Sequence, residues 1–162
     1  MLYSQSDRDA VAAALKKRRA AVWIPAILLL LLAVAAFVWY RLRHDESGWI
    51  VSGALTILGG AYAIFFHGVY LGPMRKYKKH VDYMLDGQKR VCEGILKDVA
   101  SDVIDRDGVD CYTVEINVGE KNDPEDDRVF YLDQYKSIAG FTAGDRIRVE
   151  SNDRMIAAVT KL

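Results

Sequence analysis

Two long apolar runs dominate the first half of the chain. Residues 20–40 form a run of about 21 residues without a charge, and residues 48–72 form one of about 25 in which only His67 is titratable. A helix rises roughly 1.5 Å per residue, so each run is long enough to cross the hydrocarbon core of a bilayer. Tryptophan and tyrosine lie at the ends of both runs, where they favour the headgroup region. The pattern predicts two transmembrane helices.

The two predicted helices are joined by only seven residues, 41–47. So short a connection predicts an antiparallel hairpin with an external loop. Four cations precede the first helix at 16–19, four follow the second at 75–79, and two lie between them. The positive-inside rule therefore predicts cytoplasmic N- and C-termini in a multi-pass cell-membrane protein. A cleavable signal peptide is the alternative, but the first run continues through an aromatic anchor at 37–40, which favours a permanent helix.

Two basic helical segments flank the hairpin. Residues 1–19 are predicted to form a cytoplasmic helix that begins at a capping pair, Ser6 and Asp9. Residues 73–87 show apolar positions at helical spacing with cations between them, which predicts a basic amphipathic connector helix. We expect this connector to lie on the anionic headgroups of the bilayer, or alternatively to pack on the soluble domain or a second copy. The candidate membrane-surface residues are Arg75, Lys76, Lys78 and Lys79.

Small residues mark one part of the second apolar run. Small side chains allow close approach of another helix, either the first helix or one from a second copy. His67 is a possible intramembrane functional residue, although it lies near the cytoplasmic end, where an interfacial role is the alternative. The helix-packing candidates are Gly53, Gly59, Gly60 and Ala63.

Residues 88–162 change from helical to alternating periodicity. Five short strands are predicted, separated by turn residues such as Asp107-Gly108 and Asn122-Asp123-Pro124. Closing five strands into a small barrel of the OB or SH3-like kind would leave no free edge. The segment Gln134–Gly140 is expected to hold one short helix. The fold class is thus an α+β membrane protein, a helical hairpin followed by a small β-barrel. The predicted strands are 90–99, 112–118, 128–133, 146–150 and 155–159.

Charge divides the chain in the same place. Residues 1–87 carry 11 Lys/Arg and 6 Asp/Glu, a net of +5, whereas residues 88–162 carry 11 and 16, a net of −5. An acidic domain would repel phosphates, so no nucleic-acid partner is expected.

Cys92 and Cys111 have no partner at metal-ligand spacing, and both are expected as free thiols in strands, a cross-strand disulfide being the alternative. The aspartates around Gly108 lack the first and last ligands of an EF-hand loop, so a hairpin turn is favoured.

Catalytic chemistry has no sequence pattern to support it. His80 is the histidine nearest to the predicted barrel but lies outside it, so no histidine-based catalyst, no metal and no cofactor are expected there. The first hypothesis is a non-enzymatic membrane protein that displays an acidic cytoplasmic barrel for assembly, either as a homo-oligomer or with a protein partner. The alternative is an oligomeric channel or transport accessory subunit built on the glycine-rich second helix. A membrane enzyme that uses only carboxylates is the third.

Overall fold

The computed structural model describes residues 1–119 and 123–162. Its contacts divide the chain into a helical unit, residues 12–75, and a sheet unit, residues 1–11 with 76–162. The helices are α1 (Gln5–Leu42), α2 (Gly48–Phe66) and α3 (Gly72–Asp86), with a π-helical turn at His67–Leu71. The strands are β1 (Arg90–Arg106), β2 (Val109–Asn117), β3 (Asp127–Asp133), β4 (Arg146–Asn152) and β5 (Met155–Lys161), with a 3₁₀ turn at Pro124–Asp126.

In the helical unit, α1 and α2 pack as a hairpin. The Tyr62 hydroxyl donates to the carbonyl oxygen of Ala21 at 3.1 Å. Only 17% and 6% of the two apolar windows are buried, whereas the core helix of a soluble protein would be mostly buried. Both helices are long and apolar enough to span a membrane, as the sequence predicts.

The second helix does not end where the sequence predicts. A break between residues 72 and 73 was expected, but the helix runs without interruption from Gly48 to Asp86. The Gly72 amide donates to the carbonyl of His67, five residues earlier, as in a π-helix. Pro73 has no amide proton, and its ring clashes with the carbonyl four residues before it. The wider turn accommodates the proline and lets the helix continue.

In the sheet unit, five strands pair in the order β1-β2-β3-β5-β4, and β4 pairs in turn with β1. All neighbours are antiparallel except β3 and β5, which meet in parallel through a single residue pair, Tyr131 and Met155. The five predicted strands are confirmed, with β1 running on to Arg106. Because one pair alone links β3 to β5, the assembly is best described as a strongly curled five-stranded sheet.

The turns of the sheet follow local chemistry. Asp107 and Gly108 both have positive φ, as a tight two-residue hairpin requires, so the predicted turn is confirmed. The β4–β5 turn falls at Asp153-Arg154, again with two positive φ values. The predicted turn at Asn122-Asp123-Pro124 begins outside the described residues.

The helix expected at Gln134–Gly140 is wrong. This segment holds two turns and no helix. The Ser137 hydroxyl accepts the Ala139 amide, and Ile138 inserts into the sheet core, where it is 8% exposed. A side chain that hydrogen-bonds to a nearby backbone amide offers that amide an alternative to the helical hydrogen bond. Burial of Ile138 then stabilises the non-helical conformation of this segment.

Helix α3 packs on the sheet. Val81 and Met84 are buried together with Val109, Met155 and Ala157 of the strands. The expected placement of this apolar face on the bilayer is therefore replaced by the alternative, packing on the soluble domain. Burial of the apolar face removes it from water as effectively as lipid would.

The chain before residue 12 also belongs to the sheet unit. The Leu2 amide donates to the Ala157 carbonyl at 2.9 Å, and Tyr3 is buried. The capping pair is Ser4 with Asp7, two residues before the predicted Ser6 and Asp9, because α1 begins at Gln5. The N-terminal segment was expected only to extend the first membrane helix, and its attachment to the sheet is an additional role.

A polar clamp and a basic cleft as candidate functional sites

Four polar side chains, three of them buried and Tyr77 half-buried, join three parts of the sheet unit. This polar clamp consists of Tyr3 before α1, Tyr77 and His80 on α3, and Asp133 at the end of β3. The hydroxyls of Tyr3 and Tyr77 donate to Oδ2 of Asp133 at 3.2 and 2.9 Å. The Tyr135 amide donates to Oδ1 at 2.9 Å. Both carboxylate oxygens of Asp133, which is fully buried, therefore accept hydrogen bonds.

His80 reaches the carboxylate only through Tyr3. Its Nε2 lies 2.8 Å from the Tyr3 oxygen but 4.0 Å from Oδ2 of Asp133. The single hydroxyl proton of Tyr3 is directed to Asp133, so Nε2–H of His80 donates to the Tyr3 oxygen. Burial lowers the pKa of His80, and the negative charge of Asp133 opposes this only in part. His80 is therefore neutral at pH 7.

Burial and the Asp133 charge also act on the tyrosines. Burial is the larger cause, and with Asp133 it raises the pKa of both Tyr3 and Tyr77 well above the usual value. Both hydroxyls therefore keep their protons and remain donors. Among the described residues, no buried side-chain nitrogen or oxygen lacks a hydrogen-bond partner. The clamp is closed, and its chemistry fits a structural connection.

Ion pairs at the surface reinforce the clamp. Nζ of Lys136 lies 2.9 Å from a carboxylate oxygen of Asp7 and 5.0 Å from the centre of the Tyr3 ring. Hydrogen bonds from Lys136 and Ser4 lower the pKa of Asp7. Nε of Arg8 donates to Asp82 of α3 at 2.9 Å. These contacts attach the N-terminal segment to both the strands and α3.

His80 lies on α3, outside the strands as predicted, but the sequence did not predict its contact with Tyr3. Sequence distance hid the contact, because 77 positions separate Tyr3 from His80 and 130 separate Tyr3 from Asp133. The only local sign in the sequence was a tyrosine–histidine pair, Tyr77 and His80, at helical spacing.

The sheet unit has a basic cleft of about 770 Å³. Four cations and one carboxylate, Asp153, line it. None of the four cations forms a salt bridge with any residue that the structure describes. The domain therefore carries a local positive site despite its net negative charge. The cations of the basic cleft are Lys89, Arg90, Arg128 and Arg154.

The cleft lies where the ring of strands is incompletely hydrogen-bonded. Residues 90–94 of β1 pair with β4, but β1 meets β2 only from Ile95 onward. Across the cleft, β3 pairs with β2 along its length but with β5 only at Tyr131. Within the described chain, both stretches thus have one edge without a strand partner. Backbone donors and acceptors on such edges are available to a ligand.

Local structure holds two of the cations at the rim. The Arg128 guanidinium donates to the carbonyl oxygens of Glu125 and Asp127 at 3.1 and 3.0 Å. Arg154 has a φ of 66°, in the left-handed region where the second residue of such a turn is normally glycine. A non-glycine residue in that region costs roughly 1 kcal/mol. An arginine that bears this cost is a candidate for a role in binding.

The predicted helix-packing residues divide into two groups. Gly59 contacts α1, because a methyl group there would lie 3.2 Å from Cβ of Leu29 and 3.7 Å from the Ala26 carbonyl. Gly53 and Gly60 have no described atom within 4 Å of the same position. Ala63 and Gly60 line a shallow groove of about 220 Å³ beside Trp23 and Ala26. Gly59 therefore packs within the hairpin, and a contact between copies at the others stays a prediction.

The predicted membrane-surface cations lie on both units. Arg75 and Lys76 are exposed, as is Lys79, whose Nζ lies over the Tyr83 ring at 5.5 Å. Lys78 instead pairs with Asp82 at 2.6 Å. In the helical unit, Nε2 of His67 lies 2.8 Å from a guanidinium nitrogen of Arg75. Binding of these cations to headgroups, and a channel role for His67, stay predictions.

Both cysteines lie in strands as free thiols. Burial raises the pKa of Cys111 to about 12, so it is protonated at neutral pH. Burial also raises the pKa of Cys92 in the basic cleft, although Arg128 opposes the shift. Both shifts favour the protonated thiol, which is the less reactive form.

Comparison with protein-family models, with curated proteins and with solved structures gave no match to this chain. Inferences on function therefore rest on the geometry of the clamp and the cleft.

We expect Tyr77→Phe to lower the free energy of unfolding by about 1.5–3 kcal/mol, the range for a hydrogen bond to a charged group. Urea titration of the purified full chain with pulse proteolysis measures it. Tyr83→Phe is the matched control, because Tyr83 lies on the same helix and is 53% exposed. Equal effects of the two substitutions would contradict a clamp at Tyr77.

We expect stability to fall when the pH drops below about 6.5. The unfolded chain protonates His80 near that pH, whereas the folded protein, in which the His80 pKa is lowered, does not. The unfolded state then binds more protons, so the free energy of unfolding decreases. The carboxylates Asp7 and Asp82, whose pKa values are lowered, act only nearer pH 4. The test is the unfolding midpoint measured between about pH 5 and 8. Its dependence on pH should become weaker in His80→Gln and stay unchanged in His44→Gln, the control.

Proposed function

We propose that this protein is a non-enzymatic, multi-pass membrane protein that presents its sheet unit to a protein partner or to a second copy. In this proposal α1 and α2 anchor the chain as a transmembrane hairpin, and both termini are cytoplasmic. The placement of Lys16–Arg19 and Arg75–Lys79 at one side of the hairpin supports this orientation. The sheet unit is then the part that is accessible to other proteins.

The observation that carries the proposal is the basic cleft. It combines four cations that form no salt bridge with a described residue and two strand edges that lack a partner among the described residues. Such edges are normally covered in soluble proteins because they recruit other strands. The polar clamp, by contrast, is internally satisfied and offers no open group for catalysis. Binding is therefore the activity for which the sheet unit is best equipped.

We also propose that the curled sheet is a barrel of the OB type. The strand order, with β4 returning to β1, and the parallel contact of β3 with β5 support a partly open five-stranded barrel. In such a barrel the β1–β2 and β4–β5 loops flank the ligand. Here the β4–β5 turn carries Arg154 and lines the basic cleft, whereas the β1–β2 turn does not line it.

Chemical crosslinking in the native membrane, at natural abundance and followed by mass spectrometry, tests the proposal. We expect lysines of the sheet unit, such as Lys89 and Lys97, to crosslink to a second protein or to another copy. The control is the same membrane solubilised in denaturing detergent before the reagent is added, which should abolish intermolecular products. Intramolecular crosslinks alone in the native membrane would contradict an assembly role.

A further inference from the structure

We propose that the basic cleft binds an extended acidic peptide segment of a partner protein, which adds as a strand beside β1 or β3. This rests on the proposed function, because it names the chemistry of the partner. Net charge averaged over residues 88–162 argues against any anionic ligand, but four of the eleven cations of that stretch meet in this one cleft. The local charge, not the average, is what a ligand in the cleft encounters.

The two strand edges determine the backbone conformation of the ligand. Among the described residues, 90–94 pair only with β4 and 128–130 pair only with β2, so each stretch has one edge without a described strand partner. Strand addition gives affinity through main-chain hydrogen bonds, and side chains on alternate positions give specificity. An extended peptide therefore fits these edges.

The lining of the cleft determines the side chains of the ligand. The cations at the rim favour carboxylates, which guanidinium groups bind with charge-assisted hydrogen bonds. Val91, which is 50% exposed, and Val129 add apolar surface. A strand that alternates acidic and apolar residues would match both parts of the lining.

The same lining disfavours nucleic acid. Single-stranded nucleic acid is bound without sequence preference by combining cations with exposed aromatic faces on which bases stack. Among the described residues of the cleft, Phe130 is the only aromatic, and it is 7% exposed and part of the sheet core. The cleft thus has the charge for a nucleic acid but lacks the stacking surface.

Arg154 allows binding to be separated from folding. Its left-handed φ of 66° is strained for arginine and relaxed for glycine. Arg154→Gly should therefore keep or raise the thermal unfolding midpoint while it lowers the affinity for the peptide. If Arg154 served only the fold, the substitution would lower the midpoint and leave peptide binding unchanged.

The test uses purified full-length protein in nanodiscs and fluorescence anisotropy. The probe is a labelled peptide of about eight residues that alternates valine and glutamate, since each strand residue advances roughly 3.3 Å. We expect it to bind, and we expect affinity to fall about tenfold or more in Arg128→Ala and in Arg154→Gly. Arg148→Ala, which removes a cation of β4 outside the cleft, is the matched control and should bind as the wild type does.

Four further probes decide the chemistry. A valine–lysine peptide should not bind, and a peptide of equal charge with proline at the valine positions should bind at least about tenfold more weakly, because proline cannot donate to a ladder. An oligothymidylate of equal charge and phosphatidylglycerol vesicles should bind more weakly than the acidic peptide. Equal binding of the proline peptide, tighter binding of either phosphate probe, or no effect of the arginine substitutions would overturn the proposal.

Failure here is distinguishable from failure of the proposed function. If crosslinks in the native membrane join the sheet unit to a partner but the acidic peptide does not bind, assembly stands and the inferred ligand class is wrong. If neither is found, both proposals fall.

Discussion

A fully buried carboxylate is the constraint on which the sheet unit depends. Asp133 loses its hydration on folding, and burial of a charge is tolerated only when donors of the protein replace the water. Those donors come from Tyr3, which lies far away in sequence, from Tyr77 of α3 and from the neighbouring backbone. Removing any of them leaves part of a charge unsatisfied in a low-dielectric interior. Two segments outside the strands are therefore required to complete the core of the sheet.

This requirement decides which surfaces remain for binding. Because Val81 and Met84 of α3 are buried against the sheet, the apolar face of α3 is not available to a ligand. Its exposed cations remain available. The clamp lies beside the end of β3, whereas the basic cleft lies at its start, around Arg128. One end of β3 thus holds the unit together, and the other end carries the unpaired edge and the cations. The stabilising contacts and the proposed binding site therefore lie at opposite ends of β3.

The sequence predicted elements well where a local pattern specified them. The apolar runs predicted α1 and α2, alternation predicted the five strands, and Asp107-Gly108 predicted the hairpin turn. Prediction failed where tertiary contacts override local preference. The Gln134–Gly140 helix was displaced by burial of Ile138, and the expected break at Pro73 was absorbed by a π-helical turn.

Neither candidate site was predictable, for a common physical reason. The clamp joins residues 3, 77, 80 and 133, and the cleft joins cations from the starts of β1 and β3 and from the β4–β5 turn. No spacing rule connects such positions, because strand pairing alone brings them together. The net charge of −5 did not indicate the cleft either, since an average contains no information on where cations lie.

The central claim is that Tyr3 and Tyr77 act through the same carboxylate, and a double-mutant cycle tests it most directly. Unfolding free energies of Tyr3→Phe, Tyr77→Phe and the double variant are measured on the full chain. Residues that share a buried partner should be non-additive, with a coupling of about 0.5 kcal/mol or more. Additivity within roughly 0.3 kcal/mol would show two independent contacts and would contradict the account.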